Sequence, residues 1–181
     1  MKRTETGDIW VFGYGSLMWN PGFPHLEVRP ARLHGYHRAF CLYSHHYRGT
    51  EARPGLVLGL DRGGSCLGRA FRVAGREADA AIAYLIGREM FGHEEDVYRL
   101  VWPRIGVDGR RVPAACFVIN RAHPHYAGKL APERIAALIR RGVGHAGSNA
   151  DYLRNTIQHL DGLGIKDGAL QGIWDLVDAA I

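Results

Sequence analysis

The sequence predicts an α+β fold in which strands dominate the first two thirds of the chain and helices close it. β-like apolar runs recur up to Ile119 with one helical pattern between them, so strands and helices do not alternate regularly. From Pro132 onward, apolar residues repeat instead at helical spacing. Because no linker, repeat or low-complexity stretch interrupts the 181 residues, we expect a single domain over residues 1–181.

The first predicted strand is Ile9–Gly13, a short apolar run that ends in glycines. An aromatic-rich, partly alternating run at residues 33–43 predicts the second strand. Residues 55–60 and 66–73 are also β-like, and they flank the glycine-rich segment 61–65. That arrangement predicts a hairpin whose turn is segment 61–65.

Two further strands are predicted at residues 98–107 and 110–119, which meet at Asp108-Gly109. Asp-Gly suits the two left-handed positions of a tight hairpin turn. We therefore expect these two strands to pair antiparallel.

Four helices are predicted from apolar spacing and from residues that favour helix ends. Ser148 and Asp167 are candidate N-caps, and Gly142 is a stop signal. The predicted helices are residues 76–89, Pro132–Arg141, residues 149–160, and a last helix after Asp167 with Leu170, Ile173, Trp174 and Val177 on one stripe.

Charge and cysteine content limit the class of partner. Lys plus Arg number 23 and Asp plus Glu 18, a net charge of +5, and the basic residues are scattered without a nucleic-acid footprint. A small acidic ligand fits this balance, and a nucleic-acid binder remains an alternative because the pI is about 9.3. Three widely spaced cysteines, Cys41, Cys66 and Cys116, argue against a disulfide framework and a thiolate zinc site, so we expect reduced, buried thiols.

Residues 1–8 are polar and include no apolar targeting segment, and the apolar runs of the chain are too short to span a bilayer. We expect a cytoplasmic protein without a membrane partner.

The glycine-paired turn after the first strand is the most informative segment. Tyr14, Gly15, Ser16 and Leu17 follow an apolar strand, and successive N–H groups in such a turn can form an anion nest or an oxyanion hole. A dinucleotide-binding loop would need glycine where Met18 stands. An ordinary tight turn is the alternative interpretation.

A carboxylate extends the apolar stripe of the first helix. Ile82, Leu85 and Ile86 form the stripe, and Glu89 lies seven residues after Ile82, within about 20° of the same face. Burial there raises the pKa of a carboxyl group, as a general acid or base near neutral pH requires. Arg88 is predicted to point toward solvent, and the alternative for Glu89 is that it frays into water at the helix end.

The segment at residues 37–50 mixes aromatic side chains with Arg38 and Arg48. Guanidinium groups suit a carboxylate, while base stacking and a solvated sheet face are the rival interpretations. The ten histidines match no known zinc spacing, so we expect no metal site.

Four blocks of the chain, in order, resemble the ChaC family of γ-glutamylcyclotransferases, which act on glutathione. Each carries a motif or composition similar to the family's, and in this order the likeness extends over nearly the whole chain. They are residues 12–23 with Tyr-Gly-Ser-Leu, residues 35–57, residues 84–89 with Arg-Glu, and residues 149–153 with Asn-Ala-Asp-Tyr-Leu.

The resemblance implies a small mixed β-barrel with flanking helices and an enzyme that forms 5-oxoproline and Cys-Gly from glutathione. It implies that Glu89 is the catalytic acid/base, that residues Tyr14 to Leu17 bind the γ-glutamyl group, and that no cofactor is needed. By residue type, we expect Arg38 or Arg48 to hold a substrate carboxylate and Tyr126 to line the pocket.

The chain departs from relatives in the acidic connection at residues 90–98, which leaves substrate preference open. Another γ-glutamyl amine or dipeptide is the alternative substrate, and a catalytically silent binding protein is the alternative from another class.

Overall fold

Strands dominate the described chain up to Ile119, with one helix among them, and helices dominate after it, as the sequence predicts. The computed structural model describes residues 7–90 and 96–179. The strands are β1 Ile9–Gly13, β2 Glu27–Ser44, β3 Gly55–Val73, β4 Tyr98–Val101, β5 Arg104–Val107, β6 Arg110–Ile119, and the short β7 Val143–Gly144 and β8 Gly147–Ser148. The helices are α1 Ala78–Met90, α2 Pro132–Arg141, α3 Asn149–Gly162 and α4 Gly168–Asp178, with 3-10 helices at Ser16–Met18 and Gly75–Glu77.

The described residues divide into two compact units. The first takes those of Met1–Arg38 and Leu60–Asn120, and the second takes those of Ala39–Gly59 and Arg121–Ile181. The single domain expected over residues 1–181 stays a prediction.

A closed, five-stranded barrel forms the first unit. β1 pairs antiparallel with β3 and parallel with β6, which closes the ring β1-β3-β2-β5-β6. β2 pairs antiparallel with β5, and β4 and β5 pair with successive parts of β6. The predicted mixed barrel is confirmed.

Side chains alternate along β1 between two apolar clusters. Trp10, Phe12 and Tyr14 belong to one cluster with residues of β2, β3, β5 and β6, while Ile9 and Val11 belong to another that includes α1. The alternation follows from the two-residue period of a strand. One face of the barrel wall is therefore packed inward, and the other carries α1, with each large apolar side chain contributing about 1.5–3 kcal/mol on burial.

The predicted hairpin at segment 61–65 is wrong, because β3 continues through it as one strand. Gly63 and Gly64 adopt φ of +102° and +66° within the strand. Glycines in this conformation form bulges that bend a strand without reversing it. The Gly63 carbonyl lies 3.1 Å from His37 Nδ1 on β2, so the two strands remain adjacent at the bulge.

The strand predicted at residues 98–107 divides into β4 and β5 at Trp102-Pro103. Proline lacks the N–H needed for a continuous ladder, which explains the break. The predicted turn at Asp108-Gly109 is confirmed, with φ of 47° and 74°.

The second unit contains α2, α3 and α4, whose predicted boundaries are closely matched. Ser148 and Asp167 cap α3 and α4 by accepting from the N–H groups of Asp151 and Leu170. Buried Asn149 joins α3 to β3 of this unit, since its side-chain amide exchanges two hydrogen bonds of 2.6 and 2.7 Å with the Leu56 backbone.

All three cysteines are reduced and buried, as predicted. No helix within the described ranges 7–90 and 96–179 has the length and hydrophobicity needed to cross a membrane.

Candidate active site

The loop after β1 is fixed by a buried arginine of the first unit. The Tyr14 carbonyl accepts a 2.6 Å hydrogen bond from Nε of Arg38, whose Nη2 also donates to the Leu67 carbonyl at 2.8 Å. Arg38 is only 6% exposed. The guanidinium therefore holds the backbone at the start of the loop, while its predicted contact with a substrate carboxylate stays a prediction.

The loop continues as a 3-10 helix. The N–H groups at its start come before the first donor that is bonded within the helix. The Met18 N–H donates to the Gly15 carbonyl at 2.9 Å, and later donors bond to the Ser16 carbonyl. Because the first donors of a helical turn have no partner within it, the Ser16 and Leu17 amides have no acceptor inside the turn. Ser16 is exposed, and the space on the Cβ side of Gly15 is open, so a ligand can approach this backbone.

Glu89 lies near the end of α1 on the stripe that the sequence predicts. Leu85 is fully buried, and Ile82 and Ile86 are partly buried in the same cluster. The Glu89 side chain is 20% exposed. Burial raises the pKa of its carboxyl, and the positive charge of Arg88 partly opposes this effect. The side chain is therefore largely but not fully buried, in line with its predicted place on the stripe.

Arg88 contacts both the loop and Glu89, which the sequence analysis missed. Its Nη2 donates to Ser16 Oγ at 2.9 Å, and its Nη1 donates to the Asn20 carbonyl at 2.7 Å. Its Nε lies 3.5 Å from Glu89 Oε1. The prediction that Arg88 points into solvent is wrong, because a helical wheel cannot show that another loop covers that face.

In the second unit, Arg48 joins the segment after β2 to the start of α3. Its Nη1 donates to the Ala146 and Ser148 carbonyls, and its guanidinium lies 5.0 Å from the centre of the Tyr152 ring. Tyr126, also of this unit, forms a bridge with Leu42, and Arg121 stacks on its ring at 5.7 Å. Their predicted contacts with substrate stay predictions.

Several histidines of the second unit are neighbours. The ring centroids of His45 and His125 are 4.5 Å apart, and those of His123 and His125 are 4.9 Å apart. Across residues 7–90 and 96–179, no three His, Cys, Asp or Glu side chains are arranged to hold a metal ion. His93 and the acidic residues of the connection at 91–95 lie outside the described residues.

Comparison with known proteins places these features in one family. The family model described as ChaC-like protein matches residues 9–180, which span β1, the loop, α1 and the C-terminal helices. The chain belongs to the ChaC family.

Curated relatives of this ChaC chain include the Escherichia coli protein named glutathione-specific gamma-glutamylcyclotransferase, which is 38% identical over 94% of this chain and 73% of its own length. The Mus musculus protein named glutathione-specific gamma-glutamylcyclotransferase 1 is 32% identical over 93% of this chain and 78% of its own length.

A crystal structure of a gamma-glutamyl cyclotransferase specific to glutathione from yeast superposes on this ChaC chain with a TM-score of 0.82. It is 22% identical and covers 96% of this chain and 99% of its own. This likeness confirms the fold.

Proposed function

We propose that this chain is a γ-glutamylcyclotransferase that converts glutathione to 5-oxoproline and Cys-Gly. Membership of the ChaC family and the names of its relatives support this activity. The observation that carries the proposal is the position of Glu89: a largely buried carboxyl that one guanidinium connects to the loop containing Ser16.

The reaction is an intramolecular aminolysis. The α-amine of the γ-glutamyl unit attacks the γ-amide carbonyl, forming a C–N bond that closes a five-membered ring. The bond between that carbonyl and the cysteine nitrogen then breaks, and Cys-Gly leaves as an amine. Because the substrate supplies its own nucleophile at high effective molarity, the step needs no enzyme nucleophile and no cofactor.

Glu89 moves the proton that this reaction transfers. The α-ammonium must lose a proton before attack, and the departing amine must gain one, so a single carboxyl can act first as base and then as acid. An ordinary glutamate, with a pKa of about 4.3, is a weak base for an ammonium group near 8. The elevated pKa of Glu89 narrows this gap.

The loop of Tyr14, Gly15, Ser16 and Leu17 holds the γ-glutamyl group. Its backbone N–H groups stabilise the oxyanion of the tetrahedral intermediate, an interaction typically worth about 3 kcal/mol per donor. Arg38 keeps the loop in place through the Tyr14 carbonyl.

The reduced, buried cysteines are consistent with a cytoplasmic enzyme, which is the location we propose. The expected partner is the small-molecule substrate.

The proposal is tested by incubating purified protein with reduced glutathione and, separately, with γ-glutamyl dipeptides, and identifying products by mass spectrometry. Release of 5-oxoproline and Cys-Gly from glutathione supports it, with the Glu89→Gln variant as the matched inactive protein. Faster turnover of another γ-glutamyl compound would favour the alternative substrate. Binding of glutathione without 5-oxoproline formation would favour a silent binding protein.

A further inference from the structure

Arg88 is placed where three parts of the first unit meet: α1, the 3-10 helix and the backbone that follows it. Nη1 donates to the Asn20 carbonyl, and Nη2 donates to Ser16 Oγ, so both ends of the guanidinium contact the loop. Nη1 also lies 3.4 Å from the Tyr84 hydroxyl. The side chain is 20% exposed and is therefore held against the protein.

The third nitrogen of the guanidinium, Nε, lies beside the catalytic candidate. Nε lies 3.5 Å from Glu89 Oε1, while the terminal nitrogens hold the loop. A planar fork can bond several acceptors at fixed angles, whereas the single ammonium of lysine cannot reach all of them at once. The geometry therefore couples the position of the Glu89 carboxyl to the position of Ser16.

The charge of Arg88 also acts on Glu89. Burial raises the pKa of Glu89, and Arg88 lowers it, so the two effects oppose each other. From the neighbouring elements, the loop at 16–21 brings no charged side chain, Tyr84 of α1 brings a phenol beside Arg88, and Arg69 of β3 donates to the Met18 carbonyl at 2.9 Å. Among the described residues, Arg88 is a cation that lies within 3.5 Å of the carboxyl.

We propose that Arg88 is a positioning residue, whose guanidinium fixes the Glu89 carboxyl in position relative to the substrate-binding loop. The proposal rests on the proposed function, in which Glu89 is the base. Loss of the fork should misplace the carboxyl relative to the loop, and loss of the charge should change the pH at which Glu89 becomes a base.

Two substitutions of Arg88 separate the hydrogen-bonding geometry of the guanidinium from its positive charge. Arg88→Gln removes both, so we expect kcat to fall at least about tenfold and the acidic limb of the kcat/KM profile to move up by about one pH unit. Arg88→Lys keeps the charge, so we expect a similar fall in kcat with the limb close to its wild-type position.

Arg76→Gln is the matched control, because Arg76 also precedes a glutamate in the same helical region and its Nε lies 3.4 Å from Glu77 Oε1, but its side chain is 83% exposed. It should change neither kcat nor the acidic limb. Arg69→Gln removes another guanidinium that holds the loop, and it should lower turnover without moving the limb.

A readout independent of turnover is the ¹³C chemical shift of the Glu89 carboxyl, assigned by comparison with Glu89→Gln and followed through a pH titration. Its midpoint should rise in Arg88→Gln and stay near the wild-type value in Arg88→Lys. A folded Arg88→Gln protein with unchanged kcat and an unchanged midpoint would overturn the proposal. If Arg88→Gln does not fold, Arg88→Lys decides: wild-type kcat in that variant is equally incompatible with a positioning role.

Failure of the proposed function gives a different result. If Glu89→Gln retains normal turnover, Glu89 is not the base, and the assignment of positioning to Arg88 fails with it even if the carboxyl titration still moves. If Glu89→Gln is inactive while both Arg88 variants are normal, the proposed function stands and only the role of Arg88 is wrong.

Discussion

Two Arg-Glu pairs occupy the two ends of one helical region in the first unit. Arg76 and Glu77 precede α1, and Arg88 and Glu89 lie near its end. The distance from Nε to Oε1 is almost the same in the two pairs, 3.4 and 3.5 Å. Their surroundings differ: the side chains of the first pair are 83% and 40% exposed, and those of the second are both 20% exposed.

If Glu89 is the base, as proposed, the surroundings rather than the Arg-Glu dipeptide distinguish it from Glu77. An exposed ion pair contributes about 0–1 kcal/mol and leaves its carboxyl in water. At Glu89, apolar neighbours remove most of that water, while Arg88 bonds to the loop and lies 3.5 Å from the carboxyl. The second pair joins a carboxyl of raised pKa to a ligand-accessible loop.

The strongest test of this contrast is a pair of isosteric substitutions. Glu89→Gln keeps the shape of the side chain but cannot accept a proton, so we expect a loss of at least about 10²-fold in kcat. KM should change little, because the loop of Tyr14 to Leu17 is untouched. Steady-state release of 5-oxoproline measures both, with circular dichroism to confirm folding.

Glu77→Gln is the matched control and should stay within about twofold of the wild-type kcat, since Glu77 makes an exposed pair far from the loop. Near-normal turnover in Glu89→Gln would mean that another carboxyl is the base. Glu94, Glu95 and Asp96 would then be the next residues to substitute.

Gly22→Ala tests how the loop packs against α1. We expect its effect on kcat to be smaller than that of Glu89→Gln. Gly22 has a φ of +73°, and an alanine Cβ there would lie 2.1 Å from the Tyr84 hydroxyl oxygen. We expect a loss of about 1–3 kcal/mol in the free energy of unfolding and a several-fold loss of kcat, because the adjacent Asn20 and Pro21 carbonyls accept from Arg88.

Urea unfolding and turnover are measured together for Gly22→Ala and for Gly22→Ala combined with Tyr84→Phe. Removing the hydroxyl should recover part of the stability, since the nearest atom is lost, while the ring carbon at 2.7 Å and the unfavourable φ remain. Equal stability of wild type and Gly22→Ala would contradict the packing of this loop against α1.

The pH dependence of stability tests the buried pair without any substrate. Burial raises the pKa of Glu89 above its ordinary value of 4.5, so the folded protein binds this proton more tightly than the unfolded chain does. The resulting stabilisation is complete below pH 4.5 and is lost as pH rises through the folded-state pKa. A one-unit difference in pKa corresponds to about 1.4 kcal/mol.

Above that folded-state pKa, Glu89→Gln should therefore have a larger free energy of unfolding than wild type, and the difference should vanish as pH is lowered toward 4.5. Chemical unfolding of both proteins at several pH values measures it. If the difference in free energy of unfolding grows as the pH is lowered, burial does not favour the uncharged form of Glu89, and the explanation is wrong.

Local signals predicted most of the secondary structure. Ser148 and Asp167 cap helices because a short oxygen-bearing side chain suffices, and Asp108-Gly109 turns the chain because two adjacent residues accept a left-handed conformation. The glycines at 63 and 64 carry the same kind of signal, yet β3 continues through them. Whether glycine makes a bulge or a reversal depends on the neighbouring strand, which the local sequence does not contain.

The candidate site likewise contains one feature that the local sequence predicted and one that it missed. The stripe of α1 predicted the burial of Glu89, since helical spacing alone determines which residues share a face. Arg88 was missed because its partners, Ser16 and Asn20, come from a loop about seventy residues earlier in the chain. An arginine beside a catalytic carboxylate is a sequence signal, but only the fold decides whether it contacts solvent or another element.

Cys116 sharpens the contrast because it is a second buried group whose pKa burial raises, and we expect its substitution to have little effect on turnover. Cys116 is 0% exposed, whereas Glu89 reaches the solvent, and an elevated pKa keeps the thiol protonated and unreactive. Cys116→Ala should therefore keep kcat within about threefold of wild type while lowering the free energy of unfolding by about 1 kcal/mol through lost packing. Cys41→Ala and Cys66→Ala should behave alike, because ring closure uses the amine of the substrate and needs no thiolate. A folded cysteine variant without turnover would instead indicate a covalent thiol mechanism. In that case, partial exposure of a largely buried side chain would no longer distinguish Glu89 from the buried thiols.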